Sequence, residues 1–407
     1  LGLINWVIDD YRRSACDDAL LVPVSISFDQ IPEIDDYVNM QRGLPKRKES
    51  LKWFIDYVSG MKKRYGRIHV RFAEPIALNE ALTQTAEVSA AMLGDPQQPD
   101  RIQTQKLAFE VCSRIENANP ITGSDLVTLV LLAGNGRALT ENEIRRHVSD
   151  IVELIELRSL PTAGNLHLEQ GDALDITLAM LVETGLLQRY GQAGQAVFSI
   201  AAGKQLAAAY YRNTIIHYFL SSAVAEMALA RAADADFEAG EENVVAAALA
   251  LRDLLKFEFF FKTKAHFEND MATYLDLRYG GWRQAACIET AEPLFGHSIL
   301  RSFIEAYFVL ARTLATLDGE AVEDDRALVK RCLALGEELL LRQRISTETA
   351  LSQPLFSNAV RLARHRELLA GDGLSQRRNL FAIEMDHALS AINRLQRLYD
   401  DQQSGLG

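Results

Sequence analysis

The residues of this 407-residue chain whose types and spacing could do chemistry are few and scattered. His167-Leu168-Glu169-Gln170-Gly171-Asp172 carries a His-x4-Asp spacing. An Asp that holds an imidazole in one tautomer lets the other ring nitrogen take a proton from an alcohol. The glycine inside the segment and its position between helical patterns favour an ordinary loop, because a chain of this length offers such a spacing by chance. His266, Glu268 and Asp270 present metal-ligand types, but at a spacing that fits a solvated helix face better than a coordination shell. Tyr210-Tyr211-Arg212-Asn213-Thr214-Ile215-Ile216-His217 puts two aromatics, a cation, an amide and an imidazole on one probable helix. Arg212 and His217 could meet a phosphate or carboxylate. The favoured reading is internal: Arg212 and Asn213 bond to fix helix packing, with His217 in the core.

Other signatures are missing. There is no G-x-S-x-G, no P-loop and no H-E-x-x-H, and Gly134-Asn135-Gly136 lacks the third glycine of a dinucleotide loop. Cys16, Cys112, Cys287 and Cys332 lie far apart with no C-x-x-C, so neither a disulfide framework nor a metal site is expected. No cofactor is called for.

The elements that must position these residues change character along the chain. Residues 2–18 read as a helix. Leu20-Leu21-Val22-Pro23-Val24-Ser25-Ile26-Ser27-Phe28 reads as a buried strand whose proline, lacking an N–H, must sit at an edge, bulge or strand end. Leu51, Phe54, Ile55, Val58 and Met61 give a helical stripe over 48–64, and Ile68, Val70 and Phe72 alternate as a second strand. Strand, helix and strand together suggest a βαβ-like unit. Residues 1–93 are therefore assigned to an α/β piece, and the glycine- and proline-bearing segment 94–100 to a linker.

Residues 101–402 read as a larger, mostly α-helical region. Within it, Thr140-Glu141-Asn142-Glu143 is a capping box, and 187–190 and 196–200 flank a hairpin turn. Helices followed by a hairpin are also the pattern of a winged helix, over about 120–202. The stripes Val244, Ala248, Leu251, Leu255 and Phe303, Ile304, Tyr307, Ala311, Leu314 fit core packing better than a lipid-facing surface.

The net charge of -12 argues against nucleic acid as a partner, since a duplex binder needs cations against its phosphates. Hydrophobic residues at 48% and charged residues at 24% are ordinary globular values. No apolar run reaches the roughly 18 residues that a transmembrane helix needs. A chain opening on Leu1 is expected to be processed, cropped or partial.

Several segments, taken in order, resemble one family: the long bacterial and mitochondrial-type glycerol-3-phosphate acyltransferases. Leu21-Val22-Pro23-Val24-Ser25-Ile26-Ser27-Phe28-Asp29 is similar to the family's fourth block, a hydrophobic strand with an internal proline, with Phe28 where Tyr is usual. Arg42-Gly43-Leu44-Pro45-Lys46-Arg47-Lys48-Glu49-Ser50-Leu51 resembles its basic turn, and His69-Val70-Arg71-Phe72-Ala73-Glu74-Pro75-Ile76 its closing strand, with Ala73 where Gly is common. Tyr211-Arg212-Asn213, Leu254 through Phe261, and Ser352 through Leu362 resemble markers of its helical C-terminal region.

The resemblance implies transfer of an acyl group from acyl-CoA or acyl carrier protein to the sn-1 hydroxyl of glycerol 3-phosphate, at the cytoplasmic side of the cell membrane, with peripheral attachment. It also implies that the catalytic His-x4-Asp block lies before Leu1, so this chain holds no catalytic residue and is inactive alone. His167 and Asp172 follow the fourth block and cannot replace that dyad. Val22, Pro23, Ser25 and Ser27 are then expected to line the acyl side of the site, and Lys46 and Arg47, with Lys48, to attract the phosphate or the carrier's acidic surface. The rival expectation is a non-enzymatic helical scaffold or regulator with a degenerate acyltransferase remnant.

Overall fold

The computed structural model describes residues 2–13, 17–44, 65–83, 98–164, 168, 171–191, 196–232, 240–283, 296–317 and 319–405. The chain forms two compact units. The first comprises 1–30, 66–122 and 155–166; the second comprises 31–65, 123–154 and 167–407.

The first unit opens with α1 (Gly2–Arg13), whose Ile8 enters a small core with Ile76, Leu78 and Leu107. The expected strand over 20–28 is divided. Leu20–Leu21 (β1) pairs antiparallel with Ile76–Ala77 (β4), and Val24–Phe28 (β2) pairs antiparallel with Ile68–Phe72 (β3). Between the two ladders Val22 and Pro23 face Ala73, Glu74 and Pro75, one residue more on the second strand, which is a bulge. Pro23 has no N–H to give there, but its carbonyl accepts from the Ala73 N–H at 2.9 Å. The proline thus ends a strand, as its chemistry requires.

The βαβ expectation needs correction. Its two strands pair with each other, and antiparallel, so no parallel crossover joins them. The helical stripe over 48–64 lies outside the described residues. Of the linker, Gln98–Asp100 form the first turn of α3 (Gln98–Asn117), where Pro99 costs no hydrogen bond.

The second unit is the helical region. Its short α2 (Ile34–Gln41) precedes α4 (Gly123–Ala133), β5 (Leu139–Thr140), α5 (Glu141–Leu157, whose last turn belongs to the first unit), α6 (Ala173–Glu183), β6 (Leu187–Tyr190) and β7 (Val197–Ile200). The expected hairpin forms between β6 and β7, and β5 adds to the β7 edge, giving the order β5-β7-β6. The element order over 123–200 is thus helix, strand, helix, helix and hairpin. The capping box is made: the Glu143 N–H donates to Thr140 Oγ1 at 3.2 Å and the Thr140 N–H to Glu143 Oε2 at 2.7 Å.

Then come α7 (Gln205–Ala232), α8 (Glu241–Leu254), α9 (Lys264–Arg278), α10 (Gly296–Ala315), α11 (Asp325–Leu341), α12 (Gln353–His365) and α13 (Leu374–Gly405). Helix α7 packs against α4, α8, α9, α10 and α13, and α10 against α7, α11, α12 and α13. Both are therefore apolar nearly all round, as helices wrapped by others must be. Glu226 of α7 lies across the start of α10, accepting from the Gly296 N–H and the Tyr274 hydroxyl, each at 2.6 Å. The two predicted stripes are buried as core. Among the described residues no helix is long and apolar enough to cross a membrane.

Candidate functional site

Pairing of β2 with β3 sorts their residues by face, because side chains alternate along a strand. Ser25 lies opposite Arg71 and Ser27 opposite His69, forming a polar face. Val24, Ile26 and Phe28 lie opposite Phe72, Val70 and Ile68, forming an apolar one. The β2 side of the polar face turns inward, while Arg71 is exposed: Ser25 is only 3% exposed, and its Oγ lies 3.2 Å from Asn119 Oδ1. The apolar face looks out, with Ile26, Ile68, Val70 and Phe72 all exposed, Phe72 by 73%. Of the residues predicted to line a site, Val22 is exposed, Pro23 buried, Ser25 buried and bonded, and Ser27 half-buried. The Ser27 Oγ is buried with no hydrogen-bond partner among the described residues. Lys46 and Arg47 lie outside the described residues.

Directly across from Ser27, the His69 Nε2 meets Asp29 Oδ1 at 2.8 Å, and Asp29 Oδ2 also accepts the Arg67 N–H at 2.8 Å. Gly66 is needed here: its φ is +81°, and a Cβ would come within 2.5 Å of the Asp29 side chain. Sequence reasoning missed this pair because the two residues stand forty positions apart and only strand register joins them. An Asp-held imidazole beside a serine hydroxyl can hold a proton and orient a hydroxyl. Beside the ribbon, Arg71, Phe72, Arg114, Asn117 and Pro161 line an open cavity of about 800 Å³ within the first unit. Arg114 closes part of its wall, donating to the Glu74 and Pro75 carbonyls at 2.9 and 3.0 Å.

The other candidate chemistry resolves into structure. His167 lies outside the described residues, so its pairing with Asp172 does not enter. His266 Nδ1 lies 2.7 Å from Thr263 Oγ1, Asp270 pairs with Lys262 at 2.7 Å, and no metal-holding cluster occurs among the described residues. Arg212 donates through Nε and Nη2 to Asn213 Oδ1 at 3.1 and 2.9 Å and through Nη1 to the Ser298 carbonyl at 3.0 Å. That is the internal bonding expected of it.

Segments picked out separately in the sequence meet in the second unit. Glu258 accepts from the Tyr307 hydroxyl and from Asn358 Nδ2, each at 2.9 Å. Burial pushes this carboxyl up to about 7, against those two donors. Ser352 donates to Gln41 Oε1 at 2.6 Å, and Arg42 reaches Glu348 at 3.5 Å. Tyr211 accepts the Ile31 N–H at 3.0 Å. The segments at 41–43, 211–213, 254–261 and 352–362 thus belong to one packed body.

All four segments fall within one family profile. Residues 37–372 match the family described as the glycerol-3-phosphate acyltransferase C-terminal region. The chain belongs to this family. Among named relatives, a protein of Mycobacterium tuberculosis that carries the name plsB1 acyltransferase is 32% identical over 98% of this chain and 65% of its own length. Its namesake in Mycobacterium bovis matches to the same extent. A glycerol-3-phosphate acyltransferase of Aeromonas hydrophila is 24% identical over 89% of this chain and 45% of its own length. The chain therefore spans just under two thirds of the plsB1 relatives and under half of the Aeromonas relative. The family's helical markers are accounted for by packing: Arg212, Asn213, Glu258 and Asn358 bond to protein.

Proposed function

We propose that this chain is the C-terminal part of a glycerol-3-phosphate 1-O-acyltransferase. The whole protein would transfer an acyl group from acyl-CoA or acyl carrier protein to the sn-1 hydroxyl of glycerol 3-phosphate, forming lysophosphatidate for phospholipid synthesis at the cytoplasmic membrane surface. The observation that supports the reading most is the family match over residues 37–372. The ribbon adds to it. A two-stranded sheet with its serines turned in and its aliphatic side chains turned out is unfinished, and it waits for further sheet or for an acyl chain.

In this reading the residues of this chain support a reaction whose base lies outside it. Pro23 bends the β1–β2 segment, and Val22 and Ile26, on its outward face, give apolar wall to the acyl group, while Ser25 and Ser27 hold the inward face that backs it. Lys46 and Arg47 supply positive charge for a phosphate. The reaction needs an alkoxide equivalent to attack the thioester, and no residue assigned here generates one. The purified 407-residue chain is therefore inactive with palmitoyl-CoA or palmitoyl carrier protein and glycerol 3-phosphate. A longer gene product carrying this chain behind a His-x4-Asp block forms 1-acyl lysophosphatidate. Product from the chain alone would overturn its proposed inactivity; no product from the longer protein would overturn the reaction.

A further inference from the structure

The second unit holds a cavity of about 310 Å³ with an unusual electrostatic wall. Leu131 of α4, Arg212 of α7, His297, Ser298, Arg301 and Ser302 of α10, Ser346–Glu348 and Gln396 of α13 line it, with Arg137 on its exposed side. Arg212 is 3% exposed and has no carboxylate partner among the described residues: its bonds go to an amide oxygen, a carbonyl and, at 3.5 Å, the Ser302 hydroxyl. Burial alone pushes its guanidinium down to about 10. Next to it, Arg301 has an ion pair with Glu305, yet its Nε is buried with no hydrogen-bond partner. His297 is fully buried, and neither ring nitrogen makes a well-formed hydrogen bond, although the Ala133 carbonyl acts on it. Desolvation, and then Arg301, depress it to about 3, so it stands neutral in the wall.

Placing an uncompensated cation in a protein interior costs several kcal/mol unless an anion or further donors and acceptors answer it. The carboxylates at this cavity are already committed: Glu305 to Arg301 and to the N–H groups of Ser346 and Thr347, and Glu348 to Arg42. One net positive charge therefore remains, on Arg212, together with an Arg301 Nε that has no hydrogen-bond partner among the described residues. We propose that this cavity binds a small free oxyanion of the phosphate class, with Arg212 and Arg301 as its cationic walls and Arg137 at its entrance. A guanidinium matches the tetrahedral oxygens of phosphate, and a cavity of about 310 Å³ has room for a small anion. The inference uses second-unit residues alone and does not depend on the acyl-transfer reading.

The test is isothermal titration of the purified chain with inorganic phosphate, and with acetate at matched ionic strength, backed by thermal melts. Saturable phosphate binding is expected, with a melting point several degrees higher at about a hundred times the dissociation constant. Acetate should bind at least tenfold more weakly. Arg212→Met should abolish the phosphate response. Arg137→Gln, at an exposed position where it also removes the 2.8 Å pair with Glu143 but leaves the core untouched, should weaken it by about threefold to tenfold, and it keeps the test decisive if Arg212→Met does not fold. No saturable phosphate binding, equal binding of acetate, or an unchanged affinity in Arg137→Gln together with a retained response in any folded Arg212→Met protein would overturn the proposal.

Discussion

The two units of this chain solve opposite problems with the same residue types. In the second unit charged groups go inside, and the Arg301–Glu305 pair is answered there. Arg301 and Glu305, one turn apart on α10, are 7% and 0% exposed as side chains; Glu305 also takes the N–H groups of Ser346 and Thr347 at 2.9 and 3.0 Å, and Arg301 reaches Asn393 Oδ1 at 2.8 Å. In the first unit aliphatic and aromatic groups go outside and are answered by nothing among the described residues, as Ile26, Ile68, Val70 and Phe72 show. A helical bundle closes on itself, so it can bury even an ion pair. A two-stranded ribbon has no second layer to close with. The contrast teaches that the first unit is the part of the chain that offers an apolar face.

The sharpest way to break that comparison is one chemical change made in each unit. Glu305→Gln strands a buried guanidinium and should cost about 3–5 kcal/mol, read as a lower urea midpoint by far-ultraviolet circular dichroism. Glu110 and Arg114 make the same i,i+4 pair on α3, at 2.7 Å, but in solvent. Glu110→Gln should cost only about 0.3–0.5 kcal/mol. Equal losses would mean that the second unit's interior is as wet as the first unit's surface.

A second effect, smaller and pH-dependent, belongs to Glu258. Its folded-state carboxyl titrates near 7 because burial disfavours the charge, whereas an unfolded chain releases that proton near the ordinary glutamate value of 4.5. A raised folded value means that the proton favours the folded state. The contribution is complete below 4.5 and is lost as pH rises through about 7. Glu258→Gln, which mimics the protonated side chain, should therefore match the wild type near pH 4.5 and exceed it at pH 8 by about 1–2 kcal/mol. Melting curves across that range check it; a variant less stable at pH 8 than the wild type would show that the Tyr307 and Asn358 bonds require the ionised form.

Much of the second unit was legible in the sequence, and the reason is locality. A capping box, a hairpin and apolar stripes are set by residues within a few turns of one another, so Thr140, Glu143, Leu251 and Tyr307 stand where their spacing put them. The internal role of Arg212 was legible because Asn213 adjoins it. The first unit was read less well. Pro23 announced a break, but not that the two ladders would pair antiparallel around a bulge, since register depends on Ala73–Pro75 fifty residues away. The His69–Asp29 pair and the reversed faces of the ribbon were invisible for the same reason. Alternation says that one face is apolar; it does not say which face turns inward.

Two serines on that polar face give a prediction of about 1 kcal/mol and its control. Ser25 is bonded to Asn119, so Ser25→Ala should cost about 1 kcal/mol by removing a hydrogen bond made by a buried hydroxyl. Ser27 has an equally sheltered oxygen with no partner, so Ser27→Ala should leave stability unchanged or slightly raised. A site-lining role for Ser27 would then surface only as lost transfer activity in the longer protein, with its fold intact.

The smallest expected effect carries the most information about the ribbon. Phe72→Ser removes a large ring that is 73% exposed, and in this chain it should change stability by no more than about 0.5 kcal/mol. It should also lower the binding of a hydrophobic dye, since it thins an apolar patch formed with Ile26, Ile68 and Val70. The same substitution in a longer relative has a different consequence if that face is covered there: burying a serine hydroxyl in place of an aromatic ring costs about 3 kcal/mol or more. A near-zero effect in the short chain with a large one in the long protein would show that the apolar face is an interior surface laid bare. Near-zero effects in both would leave the ring in solvent in either protein, and the first unit would then present its apolar face to an acyl chain or a membrane.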